Sequence, residues 1–119
     1  MEDKLAALAK VLETMDTLRG QCPWDKKQTI QTLRSLTIEE TYELSEAIQQ
    51  QSWDKIREEL GDLLLHIAFY AKIGEEENKF SIKDVANDLV EKLVERHPHI
   101  YADVIVENDQ DVKDNWEKI

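Results

Sequence analysis

Residues 53–77, WDKIREELGDLLLHIAFYAKIGEEE, decide the fold of this chain. Ile56, Leu60, Leu63, Leu64, Ile67 and Ala71 recur three and four residues apart, which puts them on one face of a helix. No period-two alternation competes with that pattern. The spacing predicts a helix from roughly Trp53 to Glu77 and makes it the hydrophobic centre of the molecule. Its apolar run, Leu63 to Ala71, is nine residues long and is interrupted by His66. That is far short of the roughly 20 residues a membrane span requires.

Outward from this segment, Leu33, Leu36, Leu44, Ala47 and Ile48 predict a preceding helix from about Lys26 to Gln50, broken near Ser35. Gln49, Gln50, Gln51 and Ser52 form the polar turn between the two. Farther upstream, Leu5, Leu8, Leu12 and Met15 share one face of a first helix that Gly20 closes. Asp25 is expected to cap the next helix, with Gln28 reaching back as in a capping box. Downstream, Ser81 and Asp84 open a helix carrying Ile82, Val85, Ala86, Leu89 and Leu93, and Pro98 stops it after Arg96. A short helix is expected over Asp111 to Ile119. With three Gly and two Pro in 119 residues, turns are too few for a sandwich or barrel. The reading is an all-α bundle of four to five helices forming a single domain over residues 1–119.

Charge then limits the partners. Twenty-six acidic against 15 basic side chains leave a net charge of −11, a field that repels nucleic acid and anionic lipid. An anionic ligand therefore needs a cation between itself and the protein. The single cysteine, Cys22, excludes an internal disulfide and a multi-cysteine zinc site, and it has no neighbouring base to make it a nucleophile. The start of the chain reads as neither a signal nor a transit peptide, so a cytoplasmic location is expected.

More than half of the excess negative charge lies in residues 39–62. Glu40 and Glu43 are three apart and in phase with the apolar stripe of their helix. Glu59 and Asp62 are also three apart and interleave with Ile56, Leu60 and Leu63. On two antiparallel neighbours the four carboxylates would face one another, and like charges within about 4–6 Å cannot all remain ionised without a counter-charge. Lys55 and Arg57 are out of helical phase to supply one. An oxygen-only donor set suits Mg²⁺, with Mn²⁺ as a substitute. The bland alternative is a solvated acidic face. Gly61, in a helix interior where glycine costs about 1 kcal/mol relative to Ala, is expected to admit close approach of a backbone or ligand beside Glu59 and Asp62. His66, one turn beyond Asp62, reads as a hydrogen-bonded core histidine, and His97 and His99 as capping or packing residues beside Pro98. Trp24 reads either as a base-stacking side chain or as a loop tryptophan covering the core.

Glu39-Glu40-Thr41-Tyr42-Glu43 followed by Glu59-Leu60-Gly61-Asp62 resembles the E-E-x-x-E, spacer, E-x-x-D signature of the MazG-like nucleoside triphosphate pyrophosphohydrolases. Cys22-Pro23-Trp24-Asp25, Gln28-Thr29 and Arg96-His97-Pro98-His99 resemble the MazG family proper, and the likeness runs from about Leu18 to Trp116. The resemblance implies an all-α, Mg²⁺-dependent hydrolase that splits NTP or dNTP into the monophosphate and pyrophosphate, in a house-cleaning role on the nucleotide pool. It implies a homodimer or higher homo-oligomer whose bundle core is completed by dimerisation, and relatives that carry two such units in tandem. It assigns Glu40, Glu43, Glu59 and Asp62 as metal ligands and Glu39 to a further metal or to orienting the attacking water. Lys92 and Arg96 are assigned to the phosphates, and Trp116 to enclosing the nucleotide. A rival reading is a catalytically weak or inactive copy that serves as a helical dimerisation module. A di-iron bundle site is excluded, because no Glu-x-x-His occurs in the chain.

Overall fold

The computed structural model describes residues 1–103, 105 and 107–118, with the backbone alone at 115 and 118. Among the described residues there is no strand, and seven helices follow in order: α1 (Glu2–Gln21), α2 (Pro23–Lys27), α3 (Ile30–Gln49), α4 (Trp53–Glu76), α5 (Ile82–Glu95), α6 (Pro98–Tyr101) and α7 (Asp109–Lys118). The all-α expectation holds. Ile119, the last residue expected in the tail helix, lies outside the described residues. No helix is long and apolar enough to cross a membrane among the described residues. The chain divides into two units, Met1–Ser81 and Ile82–Ile119, each described by itself.

Two short helices exceed the expected four to five, and both begin at proline. Pro23 and Pro98 occupy the first turns of α2 and α6, where the missing N–H costs nothing and the fixed φ favours helix. This also displaces the expected cap. Asp25 lies inside α2, and the chain becomes extended at Gln28 and Thr29 before α3 begins. Thr29 is the cap: its hydroxyl accepts from the Thr32 N–H at 3.1 Å, and the Thr32 hydroxyl accepts from the Thr29 N–H at 2.8 Å. From there α3 runs unbroken through Ser35. Ser52 caps α4 by accepting from the Lys55 N–H.

The core of the first unit is Met15, Leu33, Phe69 and Ile73, with Leu36 and Tyr70 packed against it. It draws on α1, α3 and α4, whose apolar faces must be covered to offset the entropy of ordering the chain. Arg19, at the end of α1, gathers the surrounding segments. Its guanidinium donates to the carbonyls of Asp25 and Gln28 at 2.6 and 2.8 Å, pairs with Glu76 at 2.9 Å and lies over the Phe69 ring. Lys72 on α4 pairs with Asp16 on α1 at 2.9 Å.

Gly74 is the glycine that close packing requires, because an added Cβ would come within 2.6 Å of the Phe80 ring. No backbone of this chain approaches Gly61, contrary to that half of its expectation: a Cβ there meets nothing within 4 Å. Glu59 and Asp62 project from α4 into the space shared with α3, whereas Gly61 borders the groove lined by Val11, Thr14, Met15 and Leu64. Several expected core positions are also exposed, among them Leu5 (57%), Leu60 (52%) and Ile67 (50%).

In the second unit α5 packs with α6 and buries none of its residues. Pro98 both stops α5 and starts α6. His97 takes the cap position of α6, and its Nδ1 donates to the Leu93 carbonyl at 2.6 Å.

Candidate metal centre

Helices α3 and α4 are joined by a three-residue turn in which Gln51 takes the left-handed conformation (φ 56°) that lets the chain reverse directly. The reversal makes them antiparallel neighbours, with Thr37 opposite His66 and Tyr70, Glu40 opposite Asp62, and Glu43 opposite Glu59. Each of these residues sits one turn from the next on its own helix. The i, i+3 spacing within each helix and the antiparallel register between them therefore deliver all four acids to one place.

One ligand oxygen from each of Glu40, Glu43, Glu59 and Asp62 lies within 4.8 Å of all the others. A single Mg²⁺ holds oxygens at about 2.1 Å, so opposite ligands stand roughly 4.2 Å apart. The four are thus nearly closed onto one ion, and they form a set that could hold a metal. Glu40, Glu59 and Asp62 are partly covered and Glu43 is exposed. Oε2 of Glu40 and Oε2 of Glu59 are buried without a hydrogen-bond partner. A buried acceptor left unpaired costs about 1–3 kcal/mol, more when charged, and a bound cation is one way to offset that cost.

The carboxyls register the same stress. Burial, and then the negative charge of Glu43, push Glu59 up to about 7. Burial, followed by the charges of Asp62 and Glu43, raises Glu40 as well. Lys55, expected to be out of helical phase, lines the same pocket as Glu43 and Glu59, and its ammonium donates to the Gln50 side chain at 3.0 Å.

The other sequence-predicted residues are distributed as follows. Glu39 is exposed on α3 and is not one of the four. Trp24 is 55% exposed in α2, which removes the core-covering reading. Lys92, Arg96 and Trp116 all belong to the second unit. There the Arg96 guanidinium lies 4.2 Å from the Trp116 ring centre while its Nε is buried without a hydrogen-bond partner. His66 is buried, as expected, and its Nδ1 is 2.6 Å from the Thr37 hydroxyl. Thr37 and Tyr70 escaped sequence reasoning. A threonine and a tyrosine on helices carry no motif, and only their positions one turn from the acids could have drawn notice.

Residues 28–101 match the family described as the MazG nucleotide pyrophosphohydrolase domain. A Bacillus subtilis protein, "Uncharacterized protein YabN", is 53% identical over 104 residues, covering 86% of this chain and 21% of that protein. An Escherichia coli "Nucleoside triphosphate pyrophosphohydrolase" is 39% identical over 117 residues, covering 98% of this chain and 44% of its own length. The chain thus spans less than half the length of these curated relatives. A solved structure, "Crystal structure of mazG-related protein from Thermotoga maritima", superposes with a TM-score of 0.77 at 23% identity, over 92% of this chain and 96% of that one.

Proposed function

This chain belongs to the MazG nucleotide pyrophosphohydrolase family, and from that premise we propose that it hydrolyses nucleoside triphosphates to the monophosphate and pyrophosphate with Mg²⁺ held by Glu40, Glu43, Glu59 and Asp62. The observation that carries the reading is the convergence of four ligand oxygens within 4.8 Å, two of the carboxylates with a buried oxygen lacking any partner. The donors fit the ion, since all are hard carboxylate oxygens and no sulfur or imidazole is among them. Mn²⁺ would fit the same set. When bound, the cation supplies charge neutralisation of the polyphosphate and a lowered pKa for a bound water.

The chain's own groups do the remainder. Attack by water on the α-phosphorus breaks its bond to the bridging oxygen, and the leaving group is pyrophosphate. Glu39, exposed beside Glu40, is proposed to orient that water or hold a further ion. Lys92 and Arg96 carry, from the family resemblance, the role of binding phosphate oxygens. The unpartnered Nε of Arg96 supports that assignment. Trp116 and Trp24 are proposed to enclose the nucleotide and stack on its base. A homodimer, a cytoplasmic location and a house-cleaning role on the nucleotide pool complete the proposal. The exposed Leu60 and Ile67 on α4 support a second copy as their cover.

Incubating the chain with Mg²⁺ and each of eight ribo- and deoxyribonucleoside triphosphates, with pyrophosphate-coupled detection, tests the reaction. Pyrophosphate should be released from at least one, and Asp62→Asn should lower the rate by on the order of 100-fold or more. Release of orthophosphate instead, or undiminished turnover in Asp62→Asn, would overturn it.

A further inference from the structure

One helical turn from the carboxylates, a single hydroxyl joins three groups. Thr37 Oγ1 is 3.0 Å from the Leu33 carbonyl, 2.6 Å from His66 Nδ1 and 2.5 Å from Tyr70 Oη. A hydroxyl has one proton to give and two lone pairs to fill. The Leu33 carbonyl can only accept, so the assignment that satisfies all three contacts is unique. Thr37 donates to Leu33 O and accepts from His66 Nδ1–H and from Tyr70 Oη–H. His66 is buried, and this assignment places a proton on its Nδ1.

These two bonds tie α3 to α4 three residues before Glu40 and four after Asp62. Any change in the distance or rotation between the helices at that level is carried to the acids. The 4.8 Å spread of their oxygens depends on that spacing. Carboxylates that repel one another push the helices apart, so something must hold them together before a cation arrives. The apolar core does this from the Leu33 and Phe69 side, and the Thr37 hydroxyl does it beside the acids.

We propose that Thr37 is a positioning residue for the metal centre: its hydroxyl, donating to Leu33 and accepting from His66 and Tyr70, sets the α3–α4 spacing at which the four carboxylates grip one ion, and holds His66 as the Nδ1–H tautomer. The proposal rests on the metal reading given above. It adds residues that touch neither the ion nor the nucleotide, in the way that hydrogen-bond partners behind metal ligands commonly govern affinity.

The test uses the 119-residue chain, Mn²⁺ titration followed by electron paramagnetic resonance, and ¹⁵N chemical shifts of the His66 ring. Thr37→Val keeps the side-chain shape and removes the hydroxyl. It should weaken Mn²⁺ about tenfold at a temperature where circular dichroism shows the helices intact, and should shift the His66 ring away from the Nδ1–H pattern. Thr37→Ser retains the hydroxyl and should restore both. A merely structural threonine would lower the melting temperature without the change in affinity or the rescue by serine. Should Thr37→Val fail to fold, Tyr70→Phe, which removes one donor, takes its place with an expected weakening of about threefold. Unchanged Mn²⁺ affinity in the folded variant, or a His66 ring protonated at Nε2 in the parent, overturns the proposal. Absence of Mn²⁺ binding by the parent overturns the metal reading itself, whatever the His66 shifts show.

Discussion

At one end of the α3–α4 pair, Leu33 and Phe69 are each 2% exposed and Arg19 spends its donors on three carbonyls and a carboxylate. Two to three turns along the same helices, Glu40 and Glu59 each bury one oxygen, Oε2, without a hydrogen-bond partner. The first end is finished by the chain's own atoms, because apolar burial and charge-assisted hydrogen bonds satisfy every group placed there. The second end crowds four carboxylates whose ligand oxygens lie within 4.8 Å of one another. The same pair of helices thus buries an apolar frame at one end and gathers like charges at the other.

The sharpest way to break that contrast is to hollow out the finished end. Phe69→Ala should cost about 3–5 kcal/mol in urea unfolding, through lost burial and a residual cavity. The loss should be the same with and without a divalent ion, since the site lies outside the cavity. A loss below about 1 kcal/mol would mean that the frame is not built on this ring.

Next comes the response to pH in the metal-free chain. Glu59 has its carboxyl pushed up to about 7, so the folded state holds a proton that the unfolded state releases near 4.5. Folded protein then binds more protons than unfolded, and stability must fall as pH rises between those two values. Glu40, raised for the same reasons, adds in the same direction. Thermal melts of metal-free protein should show a higher midpoint at pH 5 than at pH 8, and saturating Mg²⁺ should remove the decline. A midpoint that rises with pH would show that the carboxylates are not crowded.

The smallest effects come from one substitution made at both ends. Gly74→Ala should destabilise by about 1–3 kcal/mol, because the new methyl meets the Phe80 ring at 2.6 Å. Gly61→Ala, in open space within a helix, should stabilise by about 0.5–1 kcal/mol. Equal signs in chemical denaturation would erase the distinction between a packed end and an open one.

Much of this was legible in the chain. The stripe over residues 53–77 and the i, i+3 acids are periodic features, and periodicity survives folding because a helix keeps its own phase. Helix starts were less legible. Pro98 was read only as a stop, although a proline is as well suited to the first turn of a helix as it is unsuited to the interior, and Pro23 and Pro98 each open one. Gly61 was read as a close approach because an unfavourable residue in a helix invites an explanation, yet the packed glycine is Gly74, thirteen residues later. Nothing local distinguishes the two, since what differs is whether Phe80 returns to cover the backbone.

Helix content, the order of the main elements and the identity of the four crowded acids were determined by sequence alone, because each depends on spacing within one helix. Which oxygens stand within reach of one ion, which of them lose their water, and that one threonine hydroxyl links α3 to α4 beside them were decided only in three dimensions. Those are distances between helices. They are set by how side chains far apart in the chain pack, and no local pattern encodes them.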